Sequence, residues 1–280
     1  MDTNKNHRSG RHASGHSSVR KVLRILCLTV LIFSLLGLAV YWGRQWSAKR
    51  DYDRLQQQNQ PASSAASSAS SAQATPAPSA EPLDIPVDFA QLQAQNPDAY
   101  AWISIPGTLV DYPMMQSAEE TDYYLNHTFE RGYGLPGSIY TRNDTAQDFS
   151  DPCTVVYGHN MKNDTMFGSL HEYEKADFFA DAANRTIYTY GPNAIREWTI
   201  FAAVEYSDVL LTAAYDFGNP LDMQAFLDSL RIGRGSYDGE VSVDGNSRLI
   251  VLSTCVGGNR DTVRYLVVGV LTNERVQAMS

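Results

Sequence analysis

Apolar residues divide the chain into three stretches with different patterns. Residues 25–43, ILCLTVLIFSLLGLAVYWG, contain no charged side chain. As a helix at ~1.5 Å per residue this stretch spans roughly 28 Å, enough to cross the hydrocarbon core of a bilayer. Residues 55–80 are also uncharged but show no apolar period. The run ASSAASSASSAQATPAPSA within them cannot bury enough apolar area to fold, so residues 44–83 read as a flexible tether with a reach of about 35 Å. From about residue 84 the pattern changes to short apolar runs separated by turn residues, which is the pattern of a folded domain over 84–280.

Within that domain most runs predict strands. AWISIPGTLVDYPMMQ reads as two strands about the turn Pro106-Gly107. GSIYTR, CTVVYGH, RTIYTY, REWTIFAAVEYS, SRLIVLSTC and TVRYLVVGVLT are rich in Val, Ile, Tyr and Thr and read as strands too. Two segments have helical spacing. VDFAQLQAQNP has Asp88 as its N-cap, Phe89 and Leu92 on one face, and Pro97 as its stop. NPLDMQAFLDSLRIG has Asn219 as N-cap, Pro220 in its first turn, and an apolar stripe of Met223, Phe226, Leu227 and Leu230. That stripe reads as core packing. Many short strands with few helices predict a mainly β fold closed into a barrel, which removes exposed sheet edges.

Charge sharpens the division. Ten of the 22 Lys/Arg precede Leu55 against three Asp/Glu, while the remainder carries 12 basic and 28 acidic residues. An acidic body repels phosphates, which excludes nucleic acid as a partner. Arg20, Lys21 and Arg24 precede the apolar span, and Tyr41, Trp42 and Trp46 follow it as interfacial aromatics. The basic residues place 1–24 in the cytoplasm and the folded domain outside. The span is long for a signal peptide and no A-x-A site follows at once, so an uncleaved anchor is expected over a cleaved leader. A chain beginning near Asp84 is then expected to be soluble and active.

Three cysteines, Cys27, Cys153 and Cys255, are too few for a disulfide scaffold, and no C-x-x-C occurs. The six histidines lack ligand spacing and no phosphate-binding glycine motif is present, so neither a metal nor a nucleotide cofactor is implied. Cys255 ends the apolar run LIVLSTC, and Arg264 stands inside the next one. If residues 256–261 form the loop, Cys255 faces Thr262, Ser253 faces Arg264, and Cys255 and Arg264 share a face as diagonal neighbours. No acid on LIVLSTC can pair with that guanidinium. One reading is a packed thiol and a snorkelling arginine; the other is a nucleophile with a cationic partner. A cysteine nucleophile attacks as thiolate and wants a histidine or another cation nearby. His159, after a glycine at a strand-to-loop transition, is the candidate. His127 and His171 have acidic neighbours and are expected on the solvated surface. Cys153 lies six residues before His159 on the same strand, about 20 Å away, and is expected to be a packed thiol.

LSTC at 252–255, Arg264 nine positions on, and YGHNM at 157–161 resemble the sortases, membrane-anchored cysteine transpeptidases of Gram-positive bacteria. DAYAWISIPGTLVDYPMMQ (98–116), YYLNHTF (123–129), GSIYTR (137–142), YGHNMKNDTMFGSL (157–170) and the helix at 220–231 are similar, in that order, to class B. The resemblance covers about residues 84–272. It implies an eight-stranded sortase β-barrel with N-terminal helices and one helix before the cysteine strand. It implies that Cys255 attacks the carbonyl between Thr and Gly of a C-terminal sorting signal, that His159 acts as acid and base, and that Arg264 holds substrate and oxyanion. The partners implied are secreted proteins bearing that signal and a peptidoglycan amine that resolves the acyl-enzyme. Leu125, Tyr157, Ser253 and Thr254 match substrate-groove positions. Thr121 is a departure, standing in EETDYYL where the family often has Asn, which bears on the motif that is read. Alternatives are a secreted cysteine hydrolase with the same Cys-His pair, a pilin-polymerising sortase, and a non-catalytic binding barrel.

Overall fold

The computed structural model describes residues 15–58, 83–257, 260 and 262–277. The chain divides into two units, Met1–Lys49 and Arg50–Ser280. In the first lies the one segment among the described residues long and apolar enough to cross a membrane, Lys21–Val40, with mean hydropathy 2.5. It belongs to helix α1 (Gly15–Gln58).

The helical reach of α1 changes the expected tether. Residues 44–58 are helical, and the last of them belong to the folded unit: Tyr52 is 4% and Leu55 3% exposed within its core. Tyr52 Oη donates to the Gly137 carbonyl (2.8 Å), lies 3.0 Å from Ser138 Oγ, and accepts from the Phe129 amide (3.2 Å). Isolated Tyr and Leu positions in a charged stretch showed no periodic apolar signal, and only the surface they meet makes them core residues. Residues 59–82 of the tether lie outside the described residues.

Helix α2 (Phe89–Gln95) forms as its residues predict: Asp88 Oδ1 accepts from the Gln91 amide at 2.9 Å, and Phe89 and Leu92 are buried. Strands β1 (Ala99–Ser104), β2 (Asp111–Met115), β3 (Ile139–Tyr140), β4 (Cys153–Tyr157), β5 (Thr186–Gly191), β6 (Ala194–Ser207), β7 (Arg234–Tyr237), β8 (Leu249–Cys255) and β9 (Val263–Val276) form one sheet. Its order is β5-β1-β2-β3-β4-β8-β9-β6-β7, and a further β5–β6 pairing closes eight strands into a barrel. The unpredicted β7 is appended to β6; RGSY carries a glycine and no apolar alternation. Short helices α3 (Ala176–Ala180) and α4 (Leu211–Ala214) and the longer α5 (Pro220–Arg231) complete the unit. Asn219 caps α5 by accepting from the Leu221 amide, and Met223, Phe226, Leu227 and Leu230 are all buried.

The two faces of β8 serve two cores. Ile250 and Leu252 join Tyr265 and Val267 of β9 in the core within the barrel. Leu249 and Val251 join Leu266 and Val268 in a second core on the other face, with Met223, Phe226, Leu227 and Leu230 of α5 and Leu211 of α4. Burial on both faces explains why LIVLSTC reads as an unbroken apolar run and not as an alternating one.

Candidate active site

The cleft begins where the second core ends. Cys255 and Ser253 continue the face that Leu249 and Val251 present to that core, because side chains two apart on a strand share a face. Beyond Val251 the chemistry turns polar and the groove opens. Its walls include Asp122, Leu125, Tyr140, Tyr157, His159, the 207–211 segment, Ser253, Cys255 and Arg264.

The hairpin register differs from the expected one by two residues. Cys255 pairs with Arg264 and Ser253 with Leu266, so the two functional candidates stand directly opposite each other. Shared parity survives because a shift of two preserves the face; the β8–β9 ladder simply runs to the last residue of β8. The Arg264 guanidinium Nη1 donates to Cys255 Sγ at 3.3 Å.

His159 lies two residues beyond β4, on the same cleft wall. Its Nε2 is 2.8 Å from the carbonyl oxygen of Leu125. A carbonyl only accepts, so Nε2 carries a proton and Nδ1 is the nitrogen left to exchange one. Leu125 thus meets the site twice, through its exposed side chain on the cleft rim and through this carbonyl.

The remaining predicted residues separate into two groups. Tyr157 is registered with Ser253 across the parallel β4–β8 ladder and packs against Tyr140 at 5.4 Å between ring centroids. Burial pushes the Tyr157 hydroxyl up to about 12, so it stays a protonated donor at neutral pH. Ser253 is buried beside it on the cleft wall. Thr254 borders the cleft, but strand alternation turns its side chain to the other face, where Oγ1 is buried with no hydrogen-bond partner among the described residues. Thr121 is not among the cleft-lining residues; its hydroxyl donates to Asn143 Oδ1 at 2.9 Å. The next residue, Asp122, lines the cleft instead, held by the Tyr140 hydroxyl (3.1 Å) and Arg142 (3.2 Å).

Cys153 is buried and free. Burial pushes its thiol far above the ordinary value, and Asp151 adds to the shift, so it is an unreactive packing group. His127 stacks on Tyr123 at 3.8 Å. His171 departs from the expected solvated position. Its ring stacks on Tyr265, its Nδ1 meets Glu174 at 2.6 Å, and its Nε2 lies 3.2 Å from the Cys255 carbonyl. Asn160 also reaches that carbonyl, at 2.9 Å. Asn160 was not singled out from sequence, and His171 was expected on the solvated surface. Asn160 stands next to the candidate histidine, which was the one available signal.

Residues 103–272 match the family described as Sortase domain. The chain belongs to the sortase family. It is 33% identical over 168 residues to Sortase B of Listeria monocytogenes, covering 60% of this chain and 67% of that protein. It is 29% identical over 185 residues to Sortase B of Staphylococcus aureus, covering 64% and 72%. The crystal structure of Clostridium perfringens sortase B superposes with a TM-score of 0.59 at 29% identity, over 66% of this chain and all of that one. The match covers the barrel, and the relatives place this sortase in class B. It is a cysteine transpeptidase with the mainly β, eight-stranded barrel of that class.

Proposed function

We propose that this sortase cleaves a C-terminal sorting signal between Thr and Gly and transfers the new carboxyl end to an amine of peptidoglycan. The observation that carries the reading is the Arg264–Cys255 contact of 3.3 Å in a cleft that His159 also lines. Cys255 attacks the scissile carbonyl as thiolate, and the oxyanion that forms is met by the Arg264 guanidinium. His159, doubly protonated at this stage, gives its Nδ1 proton to the leaving amine as the thioester forms. The acceptor amine then attacks the thioester, His159 takes a proton from it, and the Cys255 sulfur leaves. Anchoring through Nε2 leaves Nδ1 for both transfers. Leu125, Tyr157, Ser253 and the backbone at Thr254 border the groove in which the signal lies. Thr121, turned to Asn143, bears on the signal only through the neighbouring Asp122.

The span at 21–40 anchors the enzyme with its N-terminus in the cytoplasm, so that the barrel meets secreted substrates at the outer face of the membrane. The partners are secreted proteins with a sorting signal and a cell-wall amine. The test supplies a peptide containing a Thr-Gly bond with and without an amine acceptor, and identifies products by mass. An amide-coupled product formed faster than the free acid supports transpeptidation. Release of acid alone, whatever the amine concentration, identifies a hydrolase instead.

A further inference from the structure

The parallel ladder between β4 and β8 stops one step short of the nucleophile. Its last backbone bond runs from the Gly158 amide to the Ser253 carbonyl at 3.3 Å. In a parallel pair the next carbonyl on that side belongs to Cys255, and the next amide to residue 160. The chain turns at His159 instead, and the side chain of Asn160 takes the place of the missing amide. Its Nδ2 donates to the Cys255 carbonyl at 2.9 Å and lies 3.4 Å from the Val256 carbonyl. On the other side of β8 the ladder is also weakening, since the Val256 amide reaches the Val263 carbonyl only at 3.4 Å. On the β4 side of the strand end that carries the thiol, one side-chain amide thus supplies the bond to the Cys255 carbonyl, while β9 pairs with Cys255 on the other side.

His171 determines which way that amide faces. Glu174 accepts from Nδ1 at 2.6 Å, so Nδ1 bears the proton. Nε2 lies 2.9 Å from Asn160 Nδ2, which only donates, and 3.2 Å from the Cys255 carbonyl, which only accepts. With the Nδ1 proton given to Glu174 and the Asn160 contact the shorter, Nε2 is the acceptor from Asn160, and the Cys255 carbonyl is bonded by Asn160 and not by His171. The Asn160 nitrogen, and not its oxygen, is therefore turned toward Cys255. Stacking on Tyr265, which pairs with Thr254 across the ladder, fixes the imidazole itself.

From this geometry we infer that Asn160 and His171 are positioning residues: a clamp behind the cleft that grips the Cys255 carbonyl and sets the distance between the Cys255 thiol and His159. The two candidate catalytic side chains are then tied through one residue, since Asn160 continues the backbone of His159. The clamp acts on the backbone of the nucleophile and touches neither substrate nor sulfur. It rests on the reading of Cys255 as nucleophile, and its test separates the two.

The probe is iodoacetamide, with modification of Cys255 and Cys153 followed by peptide mass in the detergent-solubilised full chain. Cys255 outpacing Cys153 at neutral pH supports the nucleophile by itself; equal slow rates would overturn that reading and leave the clamp without a purpose. Asn160→Asp keeps the shape and removes the donor. Its alkylation rate at Cys255 is expected to fall about tenfold, its kcat on a Thr-Gly peptide 10- to 100-fold, with KM within twofold and the melting temperature little changed. His171→Ala is expected to fall less, and His171→Gln, whose amide oxygen again accepts from Asn160, to recover most of the loss. If folded Asn160→Asp alkylates and turns over within twofold of the parent, the clamp is refuted. It is refuted equally if the loss lies in KM or melting temperature alone, or if His171→Gln is no better than His171→Ala.

Discussion

Arg264 stands directly across the β8–β9 ladder from Cys255, with its Nη1 3.3 Å from Sγ. In the proposed mechanism this cation meets the sulfur before attack and the oxyanion after it. Losing one oxyanion donor typically costs about 10²–10³ in turnover, or roughly 3–4 kcal/mol. Arg264→Ala is expected to lower turnover per folded molecule by that factor with the barrel intact. Arg264→Lys, which offers a compact charge in place of a directed fork, should restore only part. Turnover normalised to folded enzyme, measured beside the melting temperature, decides between this role and a structural one. Near-normal turnover in folded Arg264→Ala would remove the arginine from the chemistry.

The two cysteines of the barrel are expected to differ sharply. Cys255→Ala should abolish cleavage of a Thr-Gly peptide. Cys153→Ala should retain most of it, because the Cys153 thiol is buried and pushed far up from its ordinary value. Comparable loss in both variants would sink the assignment of the nucleophile.

Residues before Asp84 contribute to the catalytic unit through Tyr52 and Leu55. Tyr52 satisfies the Gly137 carbonyl, Ser138 and the Phe129 amide, and its ring packs edge-on to Tyr112 at 5.5 Å. A chain beginning at Asp84 exposes that surface and leaves the Phe129 amide without this partner. It is expected to melt below a chain beginning at Arg50. In the longer chain, Tyr52→Phe should cost about 1–3 kcal/mol and Tyr52→Ala about 3–5 kcal/mol in denaturant unfolding. Identical melting of the two chains would show that the helix end is a passive neighbour.

Glu274 gives the fold an acid-sensitive contact. Partial burial disfavours its charge, but the guanidiniums of Arg248 (2.8 Å) and Arg196 (2.6 Å) outweigh this and hold the carboxyl below the usual glutamate range. A depressed carboxylate contributes stability above its unfolded value and loses it as pH falls through its folded value. Glu274→Gln should therefore be less stable than the parent by about 2 kcal/mol at neutral pH, the worth of hydrogen bonds to a charged group. The difference should shrink as pH falls below the ordinary glutamate value. A gap of constant size across that range, in parallel denaturant titrations, would contradict the assignment.

The sequence by itself determined the features that depend on neighbours a few residues away. The α5 stripe, its Asn219 cap, the Asp88 cap of α2 and most strands follow from period and local hydrogen bonding. The shared face of Cys255 and Arg264 was legible for the same reason, since any even register preserves it. Tertiary structure decided the rest. The register itself depends on where the β8–β9 ladder ends, which moved Arg264 from a diagonal position to one directly opposite Cys255. Tyr52 became a core residue only because it meets Gly137, Ser138 and Phe129, 77 to 86 positions later. Asn160 and His171 meet the Cys255 carbonyl across separations of 95 and 84 residues. Their types and spacing announce nothing, because their task is created by a parallel ladder that runs out two residues before Cys255, and a ladder's end exists only once two distant strands have paired.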